Sequence, residues 1–163
     1  MVDYKNILYC TDFSEDANIA FLHALNLARK YNAKLHILHV PHSSFQYARN
    51  VVDEDIPEGQ GKDGQAFFDQ GIMDEAQINL RTAYLDRLGD FKAYEFVIAC
   101  GAPDIEIIRY AKRNDIDLIV MGALGKSDFE DRGKTVASVS RYAHCHVMAI
   151  RNPLKQFTLP IGS

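Results

Sequence analysis

The sequence predicts an α/β fold: one open, five-stranded parallel sheet with helices on both faces. Two observations predict it. Five short runs are almost continuously apolar and β-branched, which is the pattern of strands covered on both sides. Segments of helical periodicity separate them, giving the order β-α-β-α-β-α-β-α-β, and such alternation marks βαβ crossovers.

The strand runs are KNILYC (5–10), KLHILHV (34–40), AYEFVIA (93–99), IDLIVMG (116–122) and HVMAIR (146–151). The first helix is expected over 14–32. Ile19, Leu22, Leu25, Leu27 and Ala28 fall near helical spacing, Ser14 caps the start ahead of an acidic pair, and Arg29 and Lys30 suit the end. The second spans 74–89, with Leu80, Tyr84, Leu85 and Leu88 together and Gly89 as its stop. The third spans 103–115, opening on Pro103 with Ile107, Ile108 and Ala111 on one side. The last spans 134–143. Residues 41–73 hold four of the ten glycines and two prolines, and read as a long mobile connector, either a surface loop or a lid. One domain over 1–151 followed by a tail over 152–163 is the expected organisation.

Composition narrows the function. The chain has 163 residues, 47% hydrophobic and 25% charged, with 18 lysines and arginines against 22 aspartates and glutamates, a net charge of −4. That is a globular composition without the excess positive charge of a nucleic-acid binder. No apolar run approaches the ~20 residues of a membrane span, and the N-terminus lacks a signal-peptide core. Cys10, Cys100 and Cys145 form no CxxC pair, so a disulfide framework and a zinc knuckle are both disfavoured and a cytoplasmic location is expected.

In an open parallel sheet, ligands bind beyond the carboxyl ends of the strands where strand order reverses. Three segments converge on that region. CTDFS (10–14) follows the first strand and offers Asp12 as a carboxylate for a ribose hydroxyl, or as a turn or helix cap. MGALG (121–125) follows the fourth strand, where Gly122 and Gly125 let a backbone approach a ligand. GKT (133–135) opens the last helix, where backbone amides, the helix dipole, Lys134 and Thr135 suit an anion. A P-loop is excluded, because its first glycine would fall on Asp128. His36 and His39 sit three apart on one strand, facing opposite sides, and cannot share a metal. His144 and His146 flank Cys145, read as a buried cysteine in a helix-to-strand turn.

Taken together these segments resemble the universal stress protein family. The resemblance is carried by KNILYCTDFSEDANIAFLHALNLARKYNAKLHILHV (5–40), GAPDIEIIRYAKRNDIDLIVMGALGK (101–126) and VSRYAHCHVMAIR (139–151). It implies a Rossmann-like sheet in the order 3-2-1-4-5. It also implies, for the binding members, a site for ATP or another adenine nucleotide with Mg²⁺ held through the phosphates, built on the pattern G-x2-G-x9-G-[ST]. Gly122 and Gly125 match the first half. Gly133 then falls on the third glycine, with only the seven residues KSDFEDR between, two fewer than in the pattern. The Ser/Thr position falls on Lys134, with Thr135 one residue later. On this resemblance Asp12 holds the ribose, and Cys10, Thr11 and Val40 line the adenine side, with Met121 at the head of the glycine segment. Asp128, Glu130 and Asp131 of the short loop would repel phosphates unless Mg²⁺, Lys126, Arg132 or Lys134 offsets them. The resemblance further implies a homodimer paired through the edge strand 146–151. Three functions stay open: a nucleotide-binding stress-response module, a nucleotide-free member acting through protein partners, and a slow ATPase.

Overall fold

The computed structural model describes residues 1–41, 62–124 and 133–153, the side chains of 62–69 excepted. Strands β1 (Asn6–Thr11), β2 (Lys34–His39), β3 (Tyr94–Ile98), β4 (Leu118–Gly122) and β5 (His146–Ile150) form a single sheet. Its order is β3-β2-β1-β4-β5, and every pairing is parallel. Helices α1 (Glu15–Tyr31), α2 (Lys62–Tyr84), α3 (Pro103–Arg113) and α4 (Lys134–Tyr142) cover it, with a short 3-10 turn at Asp86–Leu88.

Strand side chains alternate between two apolar layers. Ile7, Tyr9, Leu35, Ile37, Leu118 and Val120 pack under α1 and α2 against Phe21, Leu80 and Tyr84. Leu8, Cys10, Leu38, Ile119 and Met121 pack under α3 and α4 against Ile107, Ala111 and Val139. Because β1 and β4 are buried on both sides, their central residues Ile7–Cys10 and Leu118–Met121 are apolar, which makes them legible as strands.

Helix α1 begins where expected. Ser14 is the N-cap, and its hydroxyl accepts the Ala17 amide at 3.2 Å. The buried face differs from the one expected. Ala17, Ala20, Phe21, Ala24, Leu25 and Ala28 lie inward with Asp16, while Leu22 is 52% exposed. The small residues allow the helix axis to approach the sheet closely, so the alanines, not the bulkiest side chains, mark the inner stripe.

The second helix needs a correction. It starts at Lys62, not 74, so residues 62–73 belong to helix and not to the connector. Gly64 and Gly71 hid this, each weakening a helix by roughly 1 kcal/mol relative to alanine. Gly71 faces open space, so it marks no packing requirement. The helix also ends earlier, at Tyr84, and Leu85 is exposed, while Gly89 closes the 3-10 turn with φ +59°. The remainder of the expected connector, 42–61, lies outside the described residues, as does the tail from 154. Cys145 is only partly buried at the start of β5, not fully buried.

On β2, His36 is buried 3% exposed between Tyr110 and Asn6. The Asn6 Oδ1 at 3.1 Å can only accept, so Nε2 carries the proton and the Tyr110 hydroxyl donates to Nδ1 at 2.7 Å. Burial, reinforced by Lys34 and opposed by Glu95, lowers the pKa of His36 to about 4. The unfolded chain takes up this proton near the ordinary 6.5 and the folded chain resists until about 4. The stabilisation is therefore complete above pH 6.5 and is lost as pH falls toward 4, up to about 3 kcal/mol in all. Thermal melts from pH 7 to pH 4 should show a drop that His36→Gln flattens. An unchanged pH slope in that variant would refute the assignment.

Candidate functional site

The two helices that follow β1 and β4 leave the sheet on opposite faces. Helix α1 packs in one layer and α4 in the other. Their divergence opens a crevice over the carboxyl ends of β1 and β4, where strand order reverses. The structure holds a cleft of about 290 Å³ there. Its floor is apolar, formed by Cys10, Leu38, Val40, Ile107 and Met121. Burial, and secondarily the neighbouring Cys145, pushes the Cys10 thiol far up, so Cys10 presents an uncharged wall and not a nucleophile.

The polar rim is shaped by the turn after β1. Asp12 is exposed, and its Oδ1 accepts the Ser14 amide at 3.0 Å, an Asx-turn that orients the carboxylate at the mouth of the cleft. The turn and the ligand-facing reading therefore coexist in one residue. Phe13 takes a left-handed φ of +62°, an uncommon conformation for a bulky residue. It is held there by its amide, which donates to Thr11 Oγ1 at 3.0 Å, and by its ring, 4.6 Å from the His39 imidazole.

Thr11 borders the cleft, but its hydroxyl is engaged on the opposite layer, 2.6 Å from the Tyr84 hydroxyl. Tyr84 also meets the Tyr9 hydroxyl at 2.9 Å and donates to Asn18 Oδ1 at 2.9 Å. Burial raises the pKa of both tyrosines, so the network stays neutral. The carbonyl of Thr11 accepts from His39 Nδ1 at 2.7 Å, tying the ends of β1 and β2 together.

Gly122 ends β4 against the first turn of α1. A Cβ there would lie 2.7 Å from the Ala17 amide nitrogen and 2.9 Å from the Asp16 carbonyl carbon. The glycine is thus required by the helix that walls the cleft, as well as bordering it. Across the opening, Gly133 is the N-cap of α4 with φ +83° and no side-chain cap. Gly133 and Thr135 border the cleft, whereas Lys134 is exposed and is not among its lining residues. The residue with a hydroxyl at this border is therefore Thr135, one position after Lys134.

Of the ten residues expected from sequence, eight border the cleft: Cys10, Thr11, Asp12, Val40, Met121, Gly122, Gly133 and Thr135. Gly125 lies outside the described residues, together with Lys126, Asp128, Glu130, Asp131 and Arg132. Eight lining residues were not among those expected, His39, Pro103, Ile107 and Leu124 among them. His39 could have been found from its place at the end of a strand beside β1. Pro103 and Ile107 reach the cleft only through the packing of α3, which one sequence does not show. Among the described residues no three His, Cys, Asp or Glu side chains gather as a metal site, and no helix is long and apolar enough to cross a membrane.

An all-parallel sheet in the order β3-β2-β1-β4-β5 with helices on both faces and a crevice at its reversal point defines the class: a Rossmann-like, doubly wound α/β domain. The chain belongs to the universal stress protein family, whose family model matches residues 3–151. It is 26% identical over 165 residues to universal stress protein MJ0531 of Methanocaldococcus jannaschii, covering 94% of this chain and 85% of that one. The solved structure of protein MJ0577 of the same organism matches with a TM-score of 0.73 at 25% identity, covering 94% of this chain and 100% of that one. A universal stress protein solved in complex with cAMP matches with a TM-score of 0.57 at 23% identity, covering 91% and 98%.

Proposed function

We propose that the cleft binds an adenine nucleotide, ATP foremost, and that the chain serves as a homodimeric stress-response module. One observation carries this reading: the cleft joins an apolar slot to a rim carboxylate and, opposite, to a helix N-terminus whose N-cap is a glycine. These are the three chemistries of a nucleotide. The base enters the slot between Cys10, Val40 and Met121, Asp12 accepts from ribose hydroxyls, and phosphates face the amides and hydroxyl at Gly133–Thr135. The cleft volume, about 290 Å³, falls just under the ~300–1,000 Å³ usual for ligand sites. The family member solved with cAMP supports an adenine ligand. Mg²⁺, when bound, would offset phosphate charge, and its hold would come through phosphate oxygens.

The dimer reading rests on β5, which is a sheet edge carrying partly exposed Val147, Met148 and Ile150. Unpaired backbone groups along such an edge invite a second chain. Sedimentation of the purified protein as a monomer at all concentrations would remove that part.

Freshly purified protein, denatured and chromatographed, should release adenine nucleotide, and stripped protein should take up Mg-ATP in the micromolar range. Absence of both would favour the nucleotide-free reading, to which the lysine at position 134 already lends weight. Steady ADP release that Asp12→Asn abolishes would point to the slow ATPase.

A further inference from the structure

The carboxylate of Asp16 has no role in the ligand chemistry above, yet it is 2% exposed. A buried carboxylate is costly unless its oxygens are satisfied. Here each oxygen accepts one backbone amide from a different segment. Oδ2 accepts Leu124 N at 3.2 Å, and Oδ1 accepts Asn152 N at 3.2 Å. Leu124 lies just past β4 and borders the cleft, while Asn152 lies just past the edge strand β5 and does not. The surrounding contacts make the same junction rigid. The Ala123 amide donates to Ile150 O at 2.8 Å, Ser14 Oγ donates to Leu124 O at 3.4 Å, and Gly122 abuts the backbone of Asp16 and Ala17.

We propose that Asp16 is a positioning residue that couples the β4 rim of the ligand cleft to the end of the edge strand β5. Its carboxylate sits in the first turn of α1, where the helix dipole favours negative charge, and so forms a fixed anchor for two segments that run on past the β4–β5 pairing and the Ala123–Ile150 bond. A ligand that orders Leu124 acts on Asn152 through this side chain, beyond the last β4–β5 backbone bond, and a partner that grips β5 preorganises the rim. Asparagine cannot replace it, because its NH₂ group would confront one of the two amides that now donate. The proposal rests on the cleft reading for its ligand-linked half only.

Amide hydrogen exchange tests both halves. In ligand-free protein, Asp16→Asn should speed exchange at Leu124 and Asn152 together, by about tenfold or more, while Ile119 in the sheet core keeps its protection. In the wild type, saturating AMP or Mg-ATP should slow exchange at Asn152 as well as at Leu124, and Asp16→Asn should abolish the response at Asn152. Unchanged exchange at either amide in the ligand-free variant would overturn the tether. Nucleotide protection confined to Leu124 in the wild type would overturn the coupling. If no nucleotide binds the wild type, the cleft reading fails, and the ligand-free comparison still decides the tether. If Asp16→Asn fails to fold, Asn152→Pro, which removes the β5-side amide donor and leaves Asp16 itself in place, replaces it and should speed exchange at Leu124. Unaltered Leu124 protection in that variant would likewise overturn the proposal.

Discussion

Replacing Gly122 by valine is expected to destabilise the protein by about 3 kcal/mol and to lower its melting temperature by roughly 10 °C. The first atom of any side chain at this position would meet the Ala17 amide nitrogen at 2.7 Å, and the Asp16 Cβ and carbonyl carbon at 2.9 Å. Two of these three atoms are backbone of a helix whose buried face is rich in alanine. No rotamer change can relieve the contact, so α1 must move away from β4 or the end of β4 must bend. Either movement disturbs the Asp16 junction and the cleft wall. A loss of this size is a large part of a typical stability of ~5–15 kcal/mol. Calorimetry or urea titration checks it, and a melting temperature within a degree or two of wild type would contradict the packing described.

The second large effect falls on binding and not on stability. Asp12→Ala should weaken adenine-nucleotide affinity about a hundredfold, the scale of one or two hydrogen bonds to a charged acceptor. The stability cost should stay near 1 kcal/mol, because the residue is exposed and its bond from the Ser14 amide is a local turn contact. Asp12→Asn retains an oxygen for that amide and should therefore keep wild-type stability while still losing affinity. Calorimetric titration of the three proteins separates the two roles. Equal affinity across the series would place the ribose elsewhere.

The strands were legible because their chemistry is one-dimensional. Runs such as LIVM and ILYC are apolar at every position, and only a doubly covered strand needs that. Expected and observed strand ends differ by at most two residues. The Ser14 cap was legible for the same reason, since a cap acts on amides within a few residues. Helix α2 was legible only in its second half, where Leu80 and Tyr84 provide periodicity. Its glycine-containing first half carries no such signal.

The site was legible where strand ends and glycines announce it, and obscure where it depends on distant partners. Cys10, Asp12 and Met121 follow from their places on β1 and β4. Tyr84 lies 73 residues from the Thr11 hydroxyl that it contacts, and Asp16 lies 136 residues from Asn152. Neither bond has a local pattern, because each is created by the crossover that folds α2 or β5 against α1. Lys134 illustrates a finer limit. Counting from glycines assigns it the phosphate position, but the helical turn from Gly133 brings Thr135 to the cleft instead.

The most direct test of the account is the titration of nucleotide-free protein with Mg-ATP, beside chromatography of whatever the purified protein releases on denaturation. The account predicts saturable binding in the micromolar range at one site per chain, weakened about a hundredfold by Asp12→Ala. No released nucleotide and no heat of binding up to millimolar Mg-ATP would contradict it, and would leave the cleft as a feature of the fold without an adenine ligand.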